Sequence, residues 1–295
     1  MRNNSKEQID FRKELNKILE DEEYVFDREL CNFTEEVILP NRKHLRNLYR
    51  YSPADYNNIR CLEKGTIYLA PIGSMNDIFE GLNCNIGDIS LQSLNILTDL
   101  VYAKSFTEEK NNLLMWSMYA DNFAGMCVEY RTAEICKKYL YHIFPIVYSD
   151  KIKFAKDIKE IITQHYHAKK EDDSCVDLSE LKDIICMFLV KNHFWEREKE
   201  WRFVVPYVQM NMAFDWIGAK DDYDFCKEHF NIDEQEIPFD YVSAIYLGFK
   251  MPLNKQEHIM EIAKKHNQNG KSIKVYKTKI SQSQKEFDFE LIYGE

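Results

Sequence analysis

Apolar and polar positions alternate with a period of two in many short runs along the chain. They include Leu48 to Tyr51, "TIYLA" at 66–70, Ala103 to Phe106, "MCVEY" at 126–130, "WRFVVP" at 201–206, "VSAIYLG" at 242–248, "SIKVYKTKI" at 272–280 and "DFELIY" at 288–293. A further run lies within "YHIFPIVYSD". β-Branched and aromatic residues dominate these runs and turn formers bound them, which predicts strands. Helical spacing occupies other segments. Ser5, with Gln8 three positions on, opens a run carrying Ile9, Leu15, Ile18 and Leu19, and a second run stops at Pro40. "PADYNNIRCLEKG" predicts a helix closed by Gly65, "NNLLMWSMYADN" one capped near Asn111 or Asn112, and Asn254 to Asn267 an amphipathic one. Two more are predicted over about 152–170 and 178–193, separated by the polar connector "KKEDDSC".

Strands and helices follow one another without regular alternation. The fold class predicted is therefore α+β: a mixed, mainly antiparallel sheet core with flanking helices and an N-terminal helical prefix. The prefix spans about 1–45, and the core domain 46–295 carries a helical insert at about 152–193. Trp216 to Pro238 is polar and acidic and reads as a surface excursion.

Composition narrows the function classes. The chain has 295 residues, 45% of them hydrophobic, enough for a sizeable core. A net charge of −10 repels phosphate polymers globally, so no generic nucleic-acid affinity is expected. Eight scattered cysteines form no CxxC pair or finger spacing, so no metal is predicted, and they read as free thiols in a reducing cytoplasm. The charged N-terminus has no apolar core of a secretion signal, and no apolar run is long enough to span a bilayer. Signatures for P-loop, dinucleotide-fold, zinc-protease and serine-hydrolase chemistry are missing.

The candidate chemistry centres on "WEREKEWRFVV", Trp195 to Val205. If the strand starts at Trp195, Glu196, Glu198, Glu200 and Arg202 line one face. Carboxylates about 6.5–7 Å apart repel by about 2 kcal/mol at an effective dielectric near 20, which raises the proton affinity of one of them unless cations intervene. The row is either a set of acids aimed at a substrate or a solvated face closed by ion pairs. Arg50, on the strand "LYRYSP", needs a partner: a carboxylate such as Glu200, or a phosphate. In the loop "SMNDIFEG", Asn76, Asp77 and Glu80 surround Phe79, as ligand-binding groups or as an Asx-turn with a cap. "LLMWSMYAD" reads first as a packed helix face, with Ser117 and Tyr119 as residues that can reach a pocket. His165 and His167 point apart on a helix, and His193 is a possible proton carrier.

The order of the blocks "LYRY", "LEKGTIYLAPIGSMNDIFEG", "SFTEEKNNLLMWSMYADNFAGMCVEY", "FWEREKEWRFV" and "IYLG" resembles the bacterial domain of unknown function 2971 family, over about Leu48 to Gly248. Ile78 stands where that family usually has proline. The family is similar to some abortive-infection, phage-resistance proteins, and its layout resembles ADP-ribosyltransferases. That resemblance implies NAD as substrate, with Arg50 on its phosphate or ribose and Tyr68 flanking nicotinamide. It gives Glu200 the nicotinamide-ribose hydroxyl and Glu198 the acceptor, with Ala70 where a serine would help. Tyr51, Asn76, Asp77, Glu80, Trp116 and Tyr119 complete the expected cofactor-binding set. A toxin or effector role in phage defence, with an antitoxin or partner docked on the N-terminal helices, is the implied context. The alternatives are a non-catalytic binding module and a metal-dependent nuclease built on Asp77, Glu80 and the glutamate row.

Overall fold

The computed structural model describes residues 47–77, 84–85, 101–138, 143–148, 153–154, 188–206, 236–283 and 286–294. The N-terminal prefix, Glu80, most of the helical insert and most of the acidic excursion lie outside these residues. The described strands are β1 (Leu48–Ser52), β2 (Thr66–Tyr68), β3 (Ala70–Pro71), β4 (Cys84–Asn85), β5 (Val101–Thr107), β6 (Met126–Tyr130), β7 (Ile143–Pro145), β8 (Val147–Tyr148), β9 (Lys153–Phe154), β10 (Val190–Lys191), β11 (Glu200–Pro206), β12 (Glu236–Pro238), β13 (Val242–Leu247), β14 (Lys274–Ile280) and β15 (Phe287–Tyr293). The helices are α1 (Tyr56–Lys64), α2 (Leu113–Met118), α3 (Thr132–Lys138) and α4 (Leu253–Gln268). The fold is α+β with a mixed, mostly antiparallel sheet.

Local chemistry sets the helix ends. The Asp55 carboxylate accepts from the backbone N–H of Asn58 at 2.9 Å, opening α1. Gly65 closes it at φ 68°, a conformation that costs residues with a Cβ about 1–2 kcal/mol. Asn112 caps α2, its side-chain oxygen accepting from Leu114 at 3.1 Å and Met115 at 3.2 Å.

The main sheet runs β15-β14-β13-β6-β1-β5-β11-β7, with β3 paired to β5. Its parallel pair is β13 and β14, joined through α4, because a parallel return needs a long crossover. Alternation gives the sheet two apolar faces. On one, Leu48, Phe106, Val128, Trp201, Phe203 and Ile245 pack with Leu62 of α1 and Ile259 and Ile262 of α4. On the other, Tyr51, Cys127, Ala244 and Tyr246 pack with Trp116 of α2 and Phe287. Each fully buried large side chain contributes about 1.5–3 kcal/mol.

One seam is incomplete. β1 pairs with β6 over five positions but with β5 only at Tyr49↔Thr107. The far end of that same β5 edge pairs with β3, through Ala70↔Ala103 and Pro71↔Tyr102. Between these contacts, residues 104–106 have no strand partner on that edge among the described residues, and the sheet is split there.

Three expectations are corrected. The helix expected to run to residue 193 gives way, in its described part, to strand β10, parallel to β8. Strand β9, parallel to β4, likewise stands near the start of the helix expected over 152–170. The acidic row does not begin a strand at Trp195. His193–Glu198 forms a 3-10 helix, capped by the Asn192 side chain accepting from Phe194 N–H at 2.8 Å. Lys199 then turns the chain at φ 46°, and β11 starts only at Glu200. Charged residues favour strands weakly, so a local cap decides this segment. Glu196 is left exposed, away from its expected neighbours.

Candidate functional site

The split holds a cavity of about 250 Å³. Its walls are Tyr49, Arg50, Tyr51 and Pro53 from β1 and its exit, Ser105 and Phe106 from β5, and Met115 and Tyr119 at α2. Met75, Asn76, Lys191, Glu198 and Glu200 complete it. Arg50 and Glu200, 150 positions apart in sequence, therefore line one hollow.

At the acidic end, every carboxylate oxygen of Glu198 and Glu200 is engaged. Glu200 Oε1 accepts from Ser105 Oγ at 2.6 Å and from Arg202 Nε at 3.0 Å, and its Oε2 meets Lys191 Nζ at 3.1 Å. Glu198 Oε2 accepts from Lys191 Nζ at 2.7 Å, and its Oε1 accepts from the Tyr119 hydroxyl at 2.5 Å. Asn76 Nδ2 donates to that hydroxyl at 3.3 Å, which ties the 72–77 turn to the acid pair. Arg202, fully buried, also donates to the Phe188 carbonyl at 2.5 Å, and the Lys191 ammonium lies 4.7 Å from the centre of the Trp195 ring. The backbone N–H of Glu200 donates to the Tyr148 hydroxyl at 2.7 Å.

The intervening cations are the condition under which mutual repulsion does not raise a glutamate's proton affinity. Burial pushes the Glu200 carboxyl up, but Arg202, Lys191 and the Ser105 hydroxyl together outweigh it and hold the pKa at about 2. Burial pushes the Lys191 ammonium down, yet Glu200 and Glu198 outweigh that and hold it above the usual lysine range. Burial, then the bond to Glu198, raises the Tyr119 hydroxyl, so it stays protonated and donates. The acidic end is thus two carboxylates held by a buried lysine, a buried arginine and two hydroxyls.

Arg50 forms the opposite wall and differs in kind. Alternation assigns its Cα to the face of Leu48 and Val128, the face opposite Glu200. Its guanidinium occupies the split and donates through Nη1 to the Ser105 carbonyl at 3.1 Å. Ser105 thereby bridges the two ends, giving its hydroxyl to Glu200 and its carbonyl to Arg50. Arg50 makes no ion pair among the described residues, so the direct Arg50–Glu200 pair weighed from sequence is not what forms.

The remaining expected residues divide. Tyr51 lines the cavity while anchoring the 109–112 turn, its hydroxyl donating to the Glu109 carbonyl at 2.9 Å. Asn76 and Tyr119 line it as well. Trp116 does not: it is fully buried, its indole N–H donates to the Lys110 carbonyl at 3.0 Å, and Tyr51 meets it edge-on at 5.2 Å. Tyr68 is corrected too, for it sits on β2 opposite Glu236, largely exposed and off the cavity wall. Asp77 is buried next to Asn76 but is not on the wall. Glu80 lies outside the described residues. Among the wall residues outside the expected set, Lys191 and Ser105 are the ones that bond the glutamates. The one available signal for Lys191 was a lone cation just ahead of the acidic row in "VKNHFWERE".

Among the described residues no group of three or more His, Cys, Asp or Glu side chains is placed to hold a metal ion. No described helix is long and apolar enough to cross a membrane.

Residues 115–203 match a family described as "Protein of unknown function (DUF2971)". The matched stretch carries Tyr119, Lys191, Glu198, Glu200 and Arg202, the whole acidic end apart from Ser105 and Asn76, while Arg50 lies outside it. The chain is similar to that family over this stretch, which is shorter than the span over which the ordered blocks resemble it. No curated protein and no solved structure matches the chain.

Proposed function

We propose that the cavity binds NAD and that the protein transfers or releases its ADP-ribosyl group. The observation supporting this is the convergence of Arg50 and the Glu198/Glu200 pair on one hollow in the split sheet. Cleaving the nicotinamide–ribose bond sends its electron pair out with nicotinamide and builds positive charge on the ribose, as in glycoside hydrolysis. A carboxylate kept ionised, like Glu200 with its pKa of about 2, favours the charge as it moves from the nicotinamide ring onto the ribose. Water or an acceptor group then forms the new bond and gives up its proton. The Arg50 guanidinium retains donors for a phosphate, which fixes the ligand's position. A cavity of 250 Å³ is small beside the ~300–1,000 Å³ of drug-sized sites, so it suits one half of the dinucleotide, the other projecting outward. An effector role in phage defence, with a partner on residues 1–45, is part of the same reading.

A second reading, a non-catalytic binding pocket, is favoured by one specific observation. Both glutamates already have their oxygens filled by Lys191, Arg202, Tyr119 and Ser105. The two readings separate by experiment. NAD titrated calorimetrically into the purified protein should bind, and nicotinamide should be released when water, protein or nucleic acid is offered as acceptor. E198Q should abolish release while still binding NAD. Binding without any release supports the pocket alone, and no binding at millimolar NAD ends the NAD reading.

A further inference from the structure

The carboxylate oxygens at the acidic end are not all held alike. Glu200 Oε1 lies 2.9 Å from Arg202 Nη2 and 3.0 Å from its Nε. Glu200 Oε2 and Glu198 Oε2 lie 3.1 Å and 2.7 Å from the Lys191 ammonium. Each of these oxygens faces a charged donor that is itself buried. Glu198 Oε1 has only the neutral Tyr119 hydroxyl, at 2.5 Å, among the described residues. Breaking a buried ion pair strands a charge, whereas exchanging one hydroxyl for another strands nothing.

Tyr119 is also the donor placed to leave. It caps the C-terminus of α2, is half-buried and lines the cavity. Its other partner is Asn76 Nδ2 at 3.3 Å, from an exposed residue on the 72–77 turn. Ser105, the second hydroxyl, differs: Glu200 Oε1 keeps Arg202 if Ser105 turns away. The position that Tyr119 holds also specifies its replacement. A group there gives a proton to Glu198 Oε1 and accepts one from Asn76 Nδ2. A hydroxyl does both, while an ammonium or guanidinium accepts nothing. A further cation would crowd Lys191 Nζ on the same carboxylate, and an anion would face two carboxylates.

We infer that Tyr119 is an exchangeable cover on Glu198, and that its hydroxyl holds the place of a neutral hydroxyl brought by the ligand. Glu198 Oε1 is then the carboxylate position open to binding. Glu200, to which the resemblance gives a ribose hydroxyl, has no oxygen without a charged donor. The incoming hydroxyl belongs to the ribose of the nucleotide or to the acceptor. That choice of source rests on the NAD reading, and the cover itself does not.

The test uses the full chain, without ligand first. Carboxyl groups are coupled to glycine ethyl ester by a water-soluble carbodiimide and quantified by mass spectrometry, with exposed Glu196 as internal reference. Relative to Glu196, Glu198 should couple about tenfold faster in Y119F than in the wild type, with N76A between them and Glu200 slow in all three. Glycerol, a neutral polyol, should slow Glu198 coupling in Y119F against the same reference. Equal Glu198 rates in Y119F and the wild type overturn the inference, as does a rate that glycerol leaves unchanged. If Y119F fails to fold, Y119L and N76A carry the comparison. Calorimetry with NAD then reads the source. Affinity about tenfold higher in Y119F, where no bond has to be given up, puts the hydroxyl on the nucleotide. Equal affinity, with nicotinamide release that glycerol but not agmatine accelerates, puts it on the acceptor. Weaker NAD binding in Y119F makes Tyr119 a ligand contact and overturns the cover. NAD bound by neither protein ends the NAD reading and leaves the cover standing on the coupling result.

Discussion

The two ends of the cavity are built from similar residues to opposite effect. At the acidic end two glutamates, Lys191 and Arg202 satisfy one another at 2.7–3.1 Å. At the other end Arg50 donates to one backbone carbonyl and makes no ion pair among the described residues. The first is internally neutralised, and its geometry is set before any ligand arrives. The second is left in deficit, and its charge is available. Charged residues that have paired off tell how a site is held in shape, and those that have not tell what it waits for.

That contrast is broken most severely by E200Q. The change keeps the shape but leaves buried Arg202 without its carboxylate, and removing one partner of such a pair costs about 3–5 kcal/mol. Denaturant unfolding should show this as a large fall in midpoint. E198Q or R50M, not E200Q, is therefore the cleaner probe of activity.

Acid should act on the same end. Glu200 has a folded pKa of about 2, below its unfolded value near 4.3. Its contribution, on the order of 3 kcal/mol, is present above the unfolded pKa and is lost as pH falls from about 4.3 through 2. Melting curves across pH 5 to 2 should show that loss in the wild type and a weaker slope in E200Q. Lys191 has the reverse sign, being raised: its contribution is full below about pH 10 and declines as pH rises beyond its unfolded value.

Y119F should cost about 1 kcal/mol, since Glu198 loses one of its two donors but keeps Lys191. R50M should leave stability within about 0.5 kcal/mol of wild type, the contrast with E200Q that distinguishes the two ends. The smallest shift is expected for K199G. Relief of the left-handed backbone at φ 46° is worth about 1 kcal/mol and is partly offset by losing the exposed pair between Lys199 and Glu109. A fall rather than a slight rise in melting temperature would show that the turn is not strained.

Much of the fold was legible. β1, β6 and β13 appear where period-two alternation put them, and α1 ends at Gly65, the glycine that marked its stop. The site was legible in its poles, Arg50 and the Glu198/Glu200 pair, but not in its wiring. Lys199 adopts a conformation usual for glycine or asparagine, so nothing local announced that Glu198 and Glu200 are brought together by a turn rather than by a strand. Lys191 was hidden because a helical rhythm extends past the point where β10 begins. The split between β1 and β5 was invisible in principle, because it is a pairing that fails to form, and pairing partners far apart in sequence leave no periodic trace.

The single Tyr49↔Thr107 contact has a mechanical meaning. Sheet continuity normally comes from a ladder of backbone bonds, and here one rung and one arginine side chain span the gap. Whatever molecule settles into that gap joins the two halves as a rivet would, so occupancy should register as rigidity across strands that never touch it.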